Sequence, residues 1–259
     1  MIVLKSERDL EAMRPACTIA GTVLNDVAAF IRPGLTTREV DDFAAERIRS
    51  HGAKSAFLGY RKYPCHICIS VNDQVVHGLA GDRQLKLGDI VSLDVGVIYN
   101  GFIGDTARTV AVGGCGVLGQ KLMDVTQKSL FEGIAQAVPG KRVVDISRAI
   151  QVYVEQNGFS IVREFVGHGV GRSMHEEPQI PNFDERKKRS PELRPGMTLA
   201  IEPMVNAGLP GVKILNDGWT VVTQDGSLSA HFEHTVLVTD GEPEIMTWPE
   251  QMPSRLRAS

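Results

Sequence analysis

Four carboxylates and a histidine are the residues of this chain best placed to do chemistry together. Asp94 closes the run Leu85-Lys86-Leu87-Gly88-Asp89-Ile90-Val91-Ser92-Leu93-Asp94, and Glu202 closes its near-copy Leu193-Arg194-Pro195-Gly196-Met197-Thr198-Leu199-Ala200-Ile201-Glu202. Each half adds a second acid in a later strand-like segment: Asp105 in Gly104-Asp105-Thr106 and Glu233 in Phe232-Glu233-His234. His168 stands among small neighbours in Gly167-His168-Gly169-Val170-Gly171. Ionised carboxylates at the ends of apolar runs are costly to bury unless compensated. For any one of them a solvent-facing strand end is an equal alternative. For all four in duplicated positions, the pattern favours divalent cations. One nitrogen and many oxygens suit Mn, Fe(II), Co or Zn without choosing among them.

Two such ions, about 3.5–4 Å apart, can hold a bridging water as hydroxide at neutral pH. They can also polarise a carbonyl and anchor a free amine, and hydrolysis of an N-terminal peptide bond uses all three capabilities. A carboxylate oxygen beside the water can act as general base, and neutral imidazoles can donate to a developing oxyanion. His77 (Val75-Val76-His77-Gly78) and His175 (Met174-His175-Glu176) follow loop-like segments in the two halves. Each is open between loop packing and catalysis.

The elements that must position these groups also repeat. Ser6 with Asp9 reads as a helix N-cap, followed by apolar residues at helical spacing through Met13, Cys17, Ala20, Val23, Leu24, Val27 and Ile31, and Pro33-Gly34 ends that helix. Thr36 and Glu39 form a capping box for a second helix that closes at Gly52. A helix from about Leu118 to Pro139-Gly140 and another from about Val143 to Gly158 repeat the plan, with Pro139, Gly140 and Gly158 each 106 residues beyond Pro33, Gly34 and Gly52. The strand ending in acid repeats 108 residues on. Asn100-Gly101 is a strong two-residue hairpin signal between strands Ile90–Tyr99 and Phe102–Val112. That turn pairs Gly96 with Asp105, so Asp94 and Asp105 share a face as diagonal neighbours with Cβ atoms roughly 7 Å apart. Asp225-Gly226 predicts a similar hairpin between Trp219–Thr223 and the strand of Glu233, and Phe159–Val166 predicts a strand ahead of His168. Gly113 and Gly114, in Val112–Gly116, form the expected hinge between halves, and the tail from Pro249 is expected to fray.

Bulk properties are those of an ordinary folded protein. The chain has 259 residues, 42% hydrophobic content and a net charge of −3, which gives no global nucleic-acid or membrane signal. The N-terminus lacks the basic-then-apolar layout of a signal peptide, and no run approaches a membrane span. A cytoplasmic location is the expectation. Four cysteines, Cys17, Cys65, Cys68 and Cys115, fit a reducing compartment. Cys65-His66-Ile67-Cys68 is formally a CxxC, but buried or pocket-lining thiols are favoured over a redox or zinc role.

Asp94, Asp105, His168, Glu202 and Glu233, together with GHGVGRSMHEEP, PGMTLAIEPM and the DGWT of Asp217 to Thr220, resemble the type I methionine aminopeptidases from about Ser6 to Trp248. The resemblance implies an α/β, α+β-type "pita-bread" fold: one catalytic domain over 1–259, with pseudo-symmetric halves at about 6–112 and 117–248 and a curved antiparallel sheet covered by helices. It implies two divalent metals bridged by Asp105 and Glu233, with Asp94 on one ion and on the substrate amine, and His168 and Glu202 on the other. Glu202 is then the general base, His77 meets the scissile amide nitrogen, and His175 meets the carbonyl oxygen. A methionine pocket is implied at Phe57, Tyr60, Tyr63, Cys68, Met174 and Trp219, with ordinary packing the alternative for Phe57 and Met174. Phe57 stands where a smaller thiol is typical, and Met174 where Phe is typical. A monovalent cation is implied near Asn72, Gln74 and Ser229.

The implied substrates are N-termini of nascent polypeptides with a small second residue, cleaved by a monomer with no membrane or sequence-specific nucleic-acid partner. The basic loop Arg186-Lys187-Lys188-Arg189 could touch the ribosome, or be a solvated loop. The short His168-to-Glu202 spacing argues against type II, and no N-terminal extension precedes Ser6. A proline-specific aminopeptidase or dipeptidase of the same fold is one rival. A catalytically dead binding protein is the other, and the presence of all five ligand residues argues against it.

Overall fold

A computed structural model describes residues 1–185 and 190–248. The basic loop at 186–189 and the tail from 249, for which the sequence suggested ribosome contact and fraying, lie outside the described residues. In the first half, α1 (Glu7–Phe30) and α2 (Thr37–Ser50) precede β1 (Lys54–Ser55), β2 (Cys68–Val71), β3 (Gln74–Val76), β4 (Ile90–Tyr99) and β5 (Phe102–Ala111). In the second, α3 (Val117–Ile134) and α4 (Val143–Gln156) precede β6 (Ser160–Ile161), β7 (Gly167–Gly169), β8 (Glu176–Ile180), β9 (Thr198–Ile201) and β10 (Met204–Asn206). β11 (Val212–Ile214), β12 (Val221–Thr223), β13 (Ser229–His231), β14 (Glu233–Leu237) and β15 (Glu244–Ile245) complete it.

The helices start where their caps dictate. Ser6 with Asp9 and Thr36 with Glu39 both form reciprocal capping boxes. Met13, Cys17, Ala20, Val23, Leu24 and Val27 of α1 are buried, while Ile31 lies just past the helix as its C-cap. The repeat is visible in the backbone. Gly34 and Gly140, Gly52 and Gly158, and Gly88 and Gly196 all take positive φ. The bridges Thr36–Gln84 and Arg142–Glu192 are one contact made twice, at the same two offsets.

A nine-stranded sheet runs β1-β4-β5-β14-β9-β7-β8, with β2 also on β4 and β15 also on β14; its pairings are antiparallel. The halves join where β5 meets β14. Each half has its own core. Val23, Leu24 and Val27 of α1 pack with Ile69, Leu93 and Val95 in the first, and Leu122, Leu130, Ile146 and Ile150 pack with Leu199 and Ile201 in the second. α1 packs on β4 and β5 and comes close at Gly104, where an added Cβ would lie 2.5 Å from the Ala16 carbonyl oxygen. Only glycine lets the helix press on the strand beside Asp105.

Two sequence expectations fail in the second half. Asp225-Gly226 does not close a hairpin: β12 pairs with β11 and β3, whereas β13 pairs with β10 and β14 with β5 and β9. The Asp225 carboxylate accepts from Leu209 N and Ser227 N, which turns the chain sideways into another sheet. The strand expected over Phe159–Val166 is reduced to Ser160–Ile161, because its partner β10 is short and pairs with it only there.

Candidate metal centre

The Asn100-Gly101 turn sets the site's first pair of acids. Both residues take positive φ, and the ladder runs without slip from Ile90–Ala111 to Tyr99–Phe102, placing Gly96 opposite Asp105 and Asp94 opposite Ala107. Ala107 is also the partner of Glu233 on β14, so Asp94 and Glu233 flank one small side chain across three strands. Cys68 on β2 lies opposite Asp94 and extends the same row. On the other side His168 pairs with Ala200, two residues before Glu202. All five expected ligands line a single cavity of about 250 Å³. Ligand atoms of Asp105, His168 and Glu233 lie within 4.8 Å of one another. Asp94 and Glu202 are outside that mutual set, although Glu202 Oε1 lies 3.4 Å from His168 Nε2.

These residues suit a cation. Asp94 Oδ1, Asp105 Oδ1, Glu202 Oε1 and Glu233 Oε1 are buried without a hydrogen-bond partner. Burial pushes the carboxyls of Asp94, Glu202 and Glu233 well above the ordinary range, reinforced by repulsion from Asp105, and burial raises Asp105 to about 7. The histidine fixes the sign of what is needed. His168 Nδ1 is 2.9 Å from the Gly169 carbonyl oxygen, which can only accept, so Nδ1 carries the proton and Nε2 holds a lone pair. That lone pair faces Glu202 Oε1 at 3.4 Å and Asp105 Oδ2 at 3.8 Å. Three acceptors converging in this way call for a positive charge among them, either a cation or, without one, a proton kept on a carboxyl. Burial, then His175, lowers the His168 pKa to about 4, so the imidazole is neutral at physiological pH.

The remaining expected residues surround the acids. Phe57, Tyr60, Tyr63, Cys68, His77, Met174, His175 and Trp219 all line the same cavity. Tyr63 meets Trp219 edge-on at 5.0 Å between ring centres, and Phe57 at 6.5 Å. His77 takes a left-handed backbone, φ 58°, and stands edge-on to Trp219 and Phe165. Non-glycine residues are held in that region only when their surroundings over-determine it. Burial, then His175, lowers the pKa of His77 to about 4. His175 Nδ1 lies 2.8 Å from Tyr60 Oη, and burial, then Arg61, lowers its pKa. Asn72, Gln74 and Ser229, expected around a monovalent cation, are drawn together in part. Ser229 N donates to Asn72 O at 2.9 Å, but Gln74 Oε1 accepts from Val71 N.

Sequence reasoning missed Arg61 and Phe165 on the wall, Gly96 beneath it, and His231 behind Glu202. A Cβ on Gly96 would sit 2.5 Å from Phe57 Cε1 and 3.0 Å from Met174 Cε. The alternation Ala230-His231-Phe232-Glu233 carried the signal for His231, since residues two apart share a face.

Residues 11–240 match the model of metallopeptidase family M24. The chain belongs to metallopeptidase family M24. Within this family it is 53% identical to the methionine aminopeptidase of Clostridium perfringens over 95% of this chain and 99% of that protein. The crystal structure of methionine aminopeptidase from Thermotoga maritima superposes with a TM-score of 0.93 at 45% identity, covering 95% of this chain and 99% of that one. The prolidase from Pyrococcus furiosus shares the fold at 22% identity and a TM-score of 0.76, over 96% of this chain and 66% of its own length. Family membership and the acid cluster together make this a divalent-metal-dependent hydrolase of the pita-bread fold.

Proposed function

We propose that the chain removes the N-terminal methionine of nascent polypeptides whose second residue is small. The observation that carries this reading is that one cavity joins partnerless buried acids and a neutral, lone-pair-inward histidine to an aromatic and sulfur-lined pocket. Asp94, Asp105, His168, Glu202 and Glu233 would hold two divalent cations, drawn from Mn, Fe(II), Co or Zn. Such ions, when bound, supply Lewis acidity toward the scissile carbonyl and water acidified to near neutrality.

The side chains do the rest. Asp94 accepts the substrate ammonium. Glu202 Oε1, buried and free of any hydrogen bond, takes the proton of the attacking water and delivers it to the departing amine. Tyr60 Oη–H donates to His175 Nδ1, which leaves the neutral ring an Nε2–H to donate to the carbonyl oxygen as charge develops there. His77, neutral and held by Trp219 and Phe165, faces the amide nitrogen. Phe57, Tyr63, Cys68, Met174 and Trp219 suit a thioether, which packs well against ring edges and sulfur. The reading extends to a cytoplasmic monomer working beside the ribosome, and to a monovalent cation near Asn72, Gln74 and Ser229. Among the described residues, no helix is long and apolar enough to cross a membrane.

The deciding assay compares Met-Ala-Ser with Xaa-Pro peptides after reconstitution with Mn(II) or Co(II). Release of methionine from Met-Ala-Ser is expected. Preferential Xaa-Pro cleavage refutes the reading, and no cleavage in any metal form points to a binding protein.

A further inference from the structure

We propose that His231 is a positioning residue for Glu202, so that each carboxylate oxygen of the base faces a different imidazole. Oε1 faces His168 Nε2 at 3.4 Å, and Oε2 faces His231 Nε2 at 3.7 Å. His231 is almost wholly buried, and its Nε2 has no hydrogen-bond partner. A polar atom left so inside a protein costs free energy unless a nearby acceptor completes it. A shift of roughly 0.7 Å brings the pair into hydrogen-bond range, and such a bond to a carboxylate is charge-assisted.

The fold holds His231 for this purpose. It lies opposite Met204, two residues past Glu202, across the β10–β13 pair. Its backbone is clamped from both sides by Thr109: His231 N donates to Thr109 Oγ1, and Thr109 Oγ1 donates to His231 O, each at 2.9 Å. With its hydrogen used on that carbonyl, Thr109 Oγ1 accepts from Ser92 Oγ at 2.8 Å. Ser92 and Thr109 lie on β4 and β5, the strands of Asp94 and Asp105, so the backbone that carries the imidazole is tied to the strands of the other acids. Fixing Oε2 leaves Oε1 as the oxygen presented to the cavity. Residues that orient a ligating carboxylate typically cost 10–100-fold in metal affinity or activity when removed.

The role of His231 in turnover rests on the proposed function; its role in metal binding does not. The test compares His231→Met, which keeps the bulk without a donor, with His231→Gln, which restores an N–H near the position of Nε2. The expected result for His231→Met is a kcat on Met-Ala-Ser lower by roughly 10–100-fold with KM within about twofold. Calorimetric titration of the metal-depleted protein with Mn(II) should weaken by about the same order. His231→Gln should recover both to within about threefold, which a packing role would not require of it. Should His231→Met fail to fold, His231→Asn, whose donor is too short to reach, takes its place. Wild-type kcat and metal affinity in the donor-less variant overturn the proposal, and so does a Gln variant no better than Met. If the wild type itself released no methionine, the proposed function would fall and the metal titration would still decide the role of His231.

Discussion

Asp105→Asn should stabilise the protein when divalent metal is removed. The Asp105 carboxyl is buried, one oxygen has no partner, and burial raises its pKa from 3.8 to about 7. The native state therefore keeps a proton that the unfolded chain releases near 3.8. Stability from this group is complete below that value, declines as pH rises, and is lost once pH passes about 7. Ionisation at pH 8 thus costs the metal-free native state up to about 4 kcal/mol, at 1.36 kcal/mol per decade. Asp94, Glu202 and Glu233 share the burden by taking protons themselves, so about half, roughly 2 kcal/mol, should be recovered by a neutral amide. In a chain of this size that is about 4–8 °C in Tm. The assay is thermal unfolding in chelator at pH 5 and pH 8. The variant should melt above wild type at pH 8, and the gap should narrow at pH 5, where more than half of the proton-linked stability is still present. Added Mn(II) should raise wild type and leave the variant unmoved. A variant melting at or below wild type at pH 8 in chelator would refute the argument that these acids are strained without a cation.

Three further outcomes follow from the same geometry. Glu202→Gln should lower kcat by at least about 100-fold, because the amide cannot take the proton from water; near wild-type turnover with full metal occupancy would exclude Glu202 as base. Tyr60→Phe should lower kcat about tenfold with KM little changed, since the 2.8 Å contact that orients His175 is lost, and a pure KM effect would reassign Tyr60 to the pocket. Gly96→Ala should raise KM for Met-Ala-Ser about tenfold while metal affinity holds, because the new methyl displaces Phe57 and Met174 into the pocket; unchanged KM would place the methionine side chain elsewhere.

The sequence made the first half of the site more legible than the second, and the reason is local. A two-residue Asn-Gly turn fixes register over ten paired residues, so Asp94 and Asp105 can be placed on one face without any tertiary knowledge. The capping boxes and the end of α1 just before Pro33 are local in the same way, whereas α3 ends at Ile134, five residues short of the expected Pro139. Glu233, His168 and Glu202 meet through β14, β9 and β7, whose pairing is decided by long-range closure. Duplication implied their convergence, but local sequence did not fix their register. The Asp225-Gly226 turn misled because its carboxylate accepts from Leu209 N, sixteen residues back in sequence, and so steers the chain away from a hairpin. His231 escaped notice because its partner is a carboxylate on another strand.

The repeat also explains why equivalent acids need not act alike. Asp94 lies inside β4, with strand continuing to Tyr99 and ladder partners on both sides at Cys68 and Ala107. Glu202 falls one residue past the end of β9 and is followed by Pro203, which has no N–H to continue a ladder. The same offset in the repeat thus yields one acid clamped within a sheet and one at a strand's end, tied through its carbonyl to Asn182 Nδ2. A rigid carboxylate suits holding an ammonium in register. One freed from the ladder suits carrying a proton between two positions, provided something fixes its resting orientation. The strand break at Pro203 frees the carboxylate, and the His231 imidazole facing Oε2 limits how far it strays. Under the roles proposed for Asp94 and Glu202, extending β9 through Glu202 would be expected to favour amine binding over turnover.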